Sequence, residues 1–208
     1  SALSNVETLI GGTNDDTITY STQISNGSID LGAGSDKVTL GDFTNSATVA
    51  GFETLIDGSS ADTITVGELT GSEVIDLGAG NDKITFGNTA NTASVSNAET
   101  IIGGSDADTI TIGSAIVKGS VDLGAGIDSL ALGNFANTVT VDNVESLSGG
   151  SAADTVTIGT QVSDGSIDLG AGSDKLTFGD FANNATLSNV ESFVGGSDAD
   201  TITLATAM

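Results

Sequence analysis

Short stretches in which apolar and polar residues alternate recur along the whole chain. In the segment from Asp82 to Phe86, the period of two places Ile84 and Phe86 on one face and Lys83 and Thr85 on the other. The same inward pairs are expected to be Ile64 and Val66, Ile110 and Ile112, Leu130 and Leu132, Val156 and Ile158, and Leu176 and Phe178. The pattern predicts β-strands whose apolar side chains stack as one inner column. The density of Gly, Thr, Asp and Asn disfavours helices.

These strands belong to an internal repeat. LGAGSDKVTL at residue 31 returns as LGAGNDKITF at 77, LGAGIDSLAL at 123 and LGAGSDKLTF at 169, so the starts are evenly spaced and define a 46-residue unit. A second series, with ADTITV at 61 and ADTITI at 107, has the same spacing. Such a period predicts a solenoid.

The fold expected from this repeat is an all-β, right-handed parallel β-solenoid of the β-roll kind. The corner aspartates alternate between a shorter interval, from Asp62 to Asp82, and a longer one, from Asp82 to Asp108. This alternation predicts two unequal coils per unit, each half a unit long on average, and about nine coils in all. We expect residues 1–208 to form a single repeat domain of about 4.5 units, cut from a longer array because both ends fall inside the pattern. The sequence leaves open whether each coil is two-sided or triangular.

Composition narrows the possible partners. The chain has 28 acidic residues against four Lys and Arg together, no histidine, and a formal net charge of −24. Nucleic acids and anionic membranes are bound by basic surfaces, so both are excluded as expected partners, and cations are the natural counter-charge. The absence of cysteine excludes a disulfide framework and a thiolate metal site.

The Gly-Asp corners carry the candidate chemistry. LGAGSDKVT has Gly at positions two and four, Asp at six and an aliphatic residue at eight, and GGSDADTIT has Gly at one and two with the same Asp and aliphatic positions. Both nonapeptides closely resemble the G-G-x-G-x-D-x-U-x repeat of the RTX, or hemolysin-type calcium-binding, family. The resemblance implies a turn that binds Ca²⁺ through backbone carbonyls and the Asp, followed by a short strand.

The implied calcium ligands follow position by position. The aspartates are Asp16, Asp36, Asp62, Asp82, Asp108, Asp128, Asp154, Asp174 and Asp200, and the glycines are Gly32, Gly34, Gly78, Gly80, Gly124, Gly126, Gly170 and Gly172. The family has ions along both edges of its coils. Here one corner per predicted coil fits the pattern, so we expect at most one column of ions. Alternatively, each Asp only caps backbone N–H groups in a turn.

Two further series of acids accompany the corners and are expected to lie on solvated faces, with ligation of a cation as the alternative. They are Asp30, Asp76, Asp122 and Asp168, and Glu7, Glu53, Glu99, Glu145 and Glu191. Stacked like charges destabilise a sheet, so we expect the rod to loosen or unfold when divalent cations are removed.

The expected function is structural. With no His, Cys or Arg, and with acids that recur in every unit, a unique catalytic constellation is not expected. The sequence favours an extracellular or cell-surface scaffold stabilised by calcium, such as a surface layer, stalk or matrix fibre, which self-associates end to end or side by side. Two alternatives stay open: an ice-binding or other ligand-binding solenoid that uses outward Thr ladders, and a secretion-signal-type repeat region of a secreted toxin or enzyme.

Overall fold

The computed structural model describes residues 2–69 and 71–206, which form 23 short strands in two parallel sheets. One sheet has 12 strands in this order: β1 (Ala2–Leu3), β3 (Thr17–Tyr20), β5 (Lys37–Thr39), β7 (Thr54–Ile56), β9 (Glu73–Asp76), β11 (Thr92–Ser96), β13 (Thr109–Ile112), β15 (Ser129–Ala131), β17 (Ser146–Ser148), β19 (Gly165–Asp168), β21 (Asn184–Ser188) and β23 (Thr201–Leu204).

The second sheet has 11 strands and is made in the same way. Its order is β2 (Thr8–Gly12), β4 (Gly27–Gly32), β6 (Ser46–Ala50), β8 (Thr63–Val66), β10 (Lys83–Thr85), β12 (Thr100–Gly104), β14 (Val117–Gly124), β16 (Thr138–Asp142), β18 (Thr155–Ile158), β20 (Lys175–Phe178) and β22 (Ser192–Val194). Consecutive strands of the chain therefore alternate between the sheets, and each turn of the solenoid is two-sided.

The predicted right-handed parallel β-solenoid is confirmed. Its turn is shorter than the predicted half of a unit, because stacked partners such as Thr17 and Lys37, or Lys37 and Thr54, are closer in the chain than that. With one strand in each sheet per turn, 12 and 11 strands make about eleven turns, slightly more than the roughly nine expected. At about 4.8 Å per turn, the stack is roughly 50 Å long.

The 46-residue unit contains five strands, which is two and a half turns. The repeated segment DTIT, or DTVT in the fourth unit, forms β3, β8, β13, β18 and β23, and these strands lie alternately in the 12-stranded and 11-stranded sheets. Equivalent residues of neighbouring units therefore occupy opposite sides of the solenoid. Only every second unit repeats the same position.

The core is a thin layer between the two sheets. Ile64, Ile84, Ile110 and Leu130 are each 0 or 1% exposed, and every inward pair predicted from the alternation is buried. The pairs do not form one column, because Ile64 and Ile84 belong to the 11-stranded sheet while Ile110 and Leu130 belong to the other. The strand phase was predictable, and the distribution over two faces was not.

Candidate functional site

Each predicted corner aspartate lies immediately before a strand, and the corners form pairs on adjacent turns. The pairs are Asp16 with Asp36, Asp62 with Asp82, Asp108 with Asp128, and Asp154 with Asp174, and Asp200 precedes the last strand. Because a unit has five strands, successive pairs lie on opposite edges of the solenoid. The corners therefore do not form one continuous column: both edges carry Gly-Asp corners, in separate pairs.

The corner carboxylates point into the solenoid and accept backbone hydrogen bonds. Asp62 and Asp82 are each 1% exposed, and the N–H of Asp62 donates to Oδ1 of Asp82 at 2.7 Å. The other three pairs repeat this bond at 2.7 Å, from Asp16 to Asp36, from Asp108 to Asp128 and from Asp154 to Asp174. The backbone N–H just before each of these strands has no acceptor in the sheet, and the Asp side chain of the next turn supplies one.

Two residues outside the motif extend three of the four pairs into ladders of four. The N–H of Asn45 donates to Oδ1 of Asp62 at 2.6 Å, and the N–H of Asp82 donates to Oε2 of Glu99 at 2.8 Å. The third and fourth units contain the same bonds through Asn91 and Glu145, and through Asn137 and Glu191. Sequence reasoning missed this role and placed the glutamates on solvated faces. The signal was the spacing of the four members along the chain, which is 17, 20 and 17 positions from one to the next.

The corner glycines make the close stacking of the turns possible. Gly78 has a φ of +80°, and a Cβ at that position would collide with the carbonyl oxygen of Gly58 on the preceding turn. Gly32, Gly124 and Gly170 have the same relationship to Gly12, Gly104 and Gly150. A Cβ at the next predicted glycine, Gly80, would lie 2.6 Å from Oδ1 of Asp82. At Gly34, Gly126 and Gly172 a Cβ would lie 2.8 to 2.9 Å from the corresponding carboxylate. The glycines therefore keep the space around each carboxylate open.

The corner carbonyls are partly engaged between turns. The N–H of Ala79 donates to the carbonyl oxygen of Gly58 at 3.0 Å, and the equivalent bonds join Ala33 to Gly12, Ala125 to Gly104 and Ala171 to Gly150. Each carbonyl oxygen keeps a second lone pair for another partner. The corner backbone thus contributes to the stacking of turns independently of any ion.

The second carboxylate oxygen is the unusual feature of these corners. Oδ2 of Asp62 and of Asp82 is buried and has no hydrogen-bond donor among the described residues. The same holds for Asp36, Asp128, Asp154 and Asp174, whereas Oδ2 of Asp108 accepts the N–H of Gly104 at 3.1 Å. A buried carboxylate oxygen without a partner is costly, so a proton, a cation or a water molecule at these atoms would stabilise the fold.

The pKa values of the buried carboxyl groups are consistent with this lack of hydrogen-bond donors. Burial, together with the charges of Asp62 and Glu99, raises the pKa of Asp82 to about 6. Burial also raises the pKa of Asp62, Asp128, Asp154 and Asp174. Asp57, which lies beside Asp62, has its pKa raised to about 7, first by burial and then by the charge of Asp62. The free carboxylates are therefore destabilised by their surroundings.

The donor set suits a hard cation such as Ca²⁺, which binds carboxylate and carbonyl oxygens. Two pairs place a partnerless Oδ2 on both of their turns, namely Asp62 with Asp82 and Asp154 with Asp174. Within the described part of the chain, no three His, Cys, Asp or Glu side chains converge closely enough to hold a metal ion. A cation bound at these corners would therefore take its remaining ligands from carbonyls or water.

Comparison of the chain with protein-family models, with curated proteins and with solved structures found no match. Across residues 2–69 and 71–206 there is also no helix with the length and apolar character needed to cross a membrane.

Proposed function

We propose that this chain is a calcium-stabilised structural solenoid of the cell surface or extracellular space, serving as part of a surface layer, stalk or matrix fibre. The observation that carries the proposal is the set of buried Oδ2 atoms that lack donors, stacked on adjacent turns at Asp62 and Asp82 and at Asp154 and Asp174. The resemblance of the corners to RTX nonapeptides points to the same ion and supports a secreted or surface location.

Calcium would act on the fold and not on a substrate. In its absence, Asp62, Asp82 and Glu99 place three acidic groups in one ladder, and burial disfavours the charged forms of Asp62 and Asp82. A divalent cation shared between turns would neutralise this charge and satisfy the partnerless oxygens. Binding free energy would then become folding free energy, which gives a rod that is stiff only where calcium is abundant.

The regular surface supports a scaffold. The chain has no His, Cys or Arg, and its acids recur from unit to unit, so we propose no catalytic role for it. We also propose self-association, end to end or side by side, because the outer strands of a parallel sheet offer backbone groups to a further chain. A secretion-associated repeat region of a toxin or enzyme would use the same calcium sites without assembling.

A Ca²⁺ titration of chelator-stripped protein, followed by circular dichroism and light scattering together, tests the proposal. An increase in β signal and melting temperature with growth in particle size is expected for an assembling scaffold. An increase in β signal without growth favours the secretion-associated role. If neither signal changes with Ca²⁺, the calcium proposal is wrong and the corner aspartates act only as caps.

A second candidate function comes from the outer face of the 11-stranded sheet. Thr100, Ser120, Thr140, Thr157 and Thr177 are paired in register across five consecutive strands, which places their outward hydroxyl groups in one row. Neighbouring strands are about 4.8 Å apart, so the row is a regular array suited to an ordered surface such as ice. A thermal-hysteresis assay of the wild type and of Thr157→Lys tests this candidate, and equal values for both chains would reject it.

A further inference from the structure

Asp57 breaks the repeat by placing an acidic side chain at a buried position. Asp57 lies in the second unit, where the other units have glycine at Gly11, Gly103, Gly149 and Gly195. Its side chain is only 6% exposed, and it lies beside Asp62, which is 1% exposed. A carboxyl group has thus been placed next to an already buried carboxylate, where neither a solvated face nor a turn requires one.

The corners that keep glycine show where this side chain must lie. A Cβ built on Gly103 would be 2.6 Å from Oδ2 of Asp108, and a Cβ built on Gly149 would be 2.7 Å from Oδ2 of Asp154. The position therefore faces the second oxygen of the corner aspartate. In the second unit that oxygen is Oδ2 of Asp62, and the Asp57 and Asp62 carboxyl groups lie within hydrogen-bonding reach of one another.

Asp57 also takes the amide donor that the corner aspartate has in other units. In those units the side-chain amide of the ladder asparagine donates to the corner carboxylate, at 2.8 Å from Asn91 to Asp108 and at 2.9 Å from Asn137 to Asp154. In the second unit, the amide of Asn45 donates to Oδ1 of Asp57 at 3.0 Å.

A backbone donor is diverted in the same way. The N–H of Gly104 donates to Oδ2 of Asp108 at 3.1 Å, whereas the equivalent N–H of Gly58 donates to Oδ1 of Asp57 at 2.8 Å. Oδ2 of Asp57 and Oδ2 of Asp62 are both buried, and neither finds a donor within the described ranges. Two adjacent carboxylate oxygens therefore both lack a donor, and one cation between them would compensate both.

We propose that Asp57 makes this corner the tightest Ca²⁺ site of the chain, with Oδ2 of Asp57 and Oδ2 of Asp62 as ligands. This inference rests on the proposed calcium function and names its first site. Two carboxylates match the charge of one divalent cation, and more carboxylate ligands strengthen calcium binding. The partnerless Oδ2 of Asp82, on the next turn, adds to the negative charge around the site.

Isothermal titration of the chelator-stripped full chain with CaCl₂ tests the site. The variants are Asp57→Gly, which restores the residue of the other units, and Asp57→Asn, which keeps the size and removes the charge. Asp106→Asn is the matched control, because it removes one exposed acid from the same kind of corner. Circular dichroism of each variant verifies that the solenoid is folded in saturating Ca²⁺.

The wild type and Asp106→Asn are expected to show one tight site above a weaker class, and both Asp57 variants to lose the tight site with at least a tenfold decrease in its affinity. If the Asp57 variants bind Ca²⁺ as the wild type does, this inference is wrong while the calcium function stands. If no chain binds Ca²⁺, both are wrong. If the Asp57 variants only gain stability in chelator, with unchanged Ca²⁺ titrations, the pair shares a proton and holds no metal.

Discussion

The backbone N–H of Asp62 donates to Oδ1 of Asp82 at 2.7 Å, although the two residues are 20 positions apart in the chain. Each is the acidic residue of a Gly-Asp corner, and each is almost fully buried. The corner aspartate therefore has a structural role that is independent of any ion, because its Oδ1 accepts the backbone N–H that precedes a strand of the preceding turn. Its other oxygen, Oδ2, is buried and finds no donor among the described residues.

Asp82→Ala and Asp82→Asn should separate the acceptor role of Oδ1 from the proposed cation-binding role of Oδ2. Alanine removes the acceptor and leaves the buried N–H of Asp62 unpaired, which is expected to cost about 1 to 3 kcal/mol of unfolding free energy. Asparagine keeps an acceptor oxygen and removes a buried charge, so it is expected to equal or exceed the wild type in stability when calcium is absent. Urea denaturation in excess chelator at pH 8 measures both.

The advantage of Asp82→Asn over the wild type should be lost when calcium is added. The wild type is expected to gain stability with Ca²⁺, while Asp82→Asn gains less because it lacks one carboxylate ligand. Equal stabilities of the alanine and asparagine variants in chelator would contradict the capping role of Oδ1.

Most of the strand pattern could be predicted from the sequence, and the turn length could not. The alternation around Ile84 fixed which side chains are buried, because a strand has a period of two. The 46-residue period was read as two coils, but five strands are an odd number and the unit therefore ends on the opposite face. A repeat length measures similarity between segments and does not reveal how many strands each segment contains.

For a similar reason, only part of the site could be predicted from the sequence. Asp62 and Asp82 are identifiable from their motif, whereas Asn45 and Glu99 belong to no motif and join the ladder only through the stacking of turns. Asp57 was not singled out, because a single departure from glycine has no meaning until the space beside Asp62 is known. Contacts between adjacent turns depend on the turn length, which the sequence did not provide.

Metal-free protein should become less stable as the pH rises from about 4 to about 7.5. Burial raises the folded-state pKa of Asp82 to about 6 and of Asp57 to about 7, above the value of about 3.9 for an unfolded Asp. The folded state therefore holds protons that the unfolded state releases, so this stability is complete below about pH 4 and is lost as the pH rises through the folded pKa values. Melting curves of chelator-stripped protein from pH 4.5 to pH 8 measure the effect.

Asp57→Gly serves as the control for this pH dependence. It removes the group with the higher pKa, so the decrease between pH 6 and pH 7.5 is expected to become smaller while the decrease near pH 5 persists. A melting temperature that increases with pH in the metal-free wild type would contradict the prediction.

Gly78→Ala should be strongly destabilising, and Gly87→Ala should not. Gly78 has a φ of +80°, and its Cβ would collide with the carbonyl oxygen of Gly58, whereas the nearest atoms to a Cβ at Gly87 are 3.7 Å away. Left-handed strain and the steric clash together are expected to cost about 2 to 4 kcal/mol at position 78. Urea denaturation in saturating Ca²⁺ measures both variants, and similar midpoints for the two would show that the turns are not stacked as closely as described.

Asn137→Asp tests whether the ladder asparagine is needed as a donor. The side chain of Asn137 is buried, and its amide donates to Oδ1 of Asp154 at 2.9 Å and to the carbonyl oxygen of Phe135 at 2.7 Å. Aspartate would replace this donor by a buried negative charge that faces two acceptors, so we expect a loss of about 3 kcal/mol or more at pH 8. Protonation restores one donor, and most of the loss is expected to disappear near pH 4.5.

Asn134→Asp, which adds the same charge at an exposed position of this corner, is the control and should change stability by less than about 0.5 kcal/mol. Equal losses for the two variants, or a loss at position 137 that does not depend on pH, would show that the amide is not an essential donor.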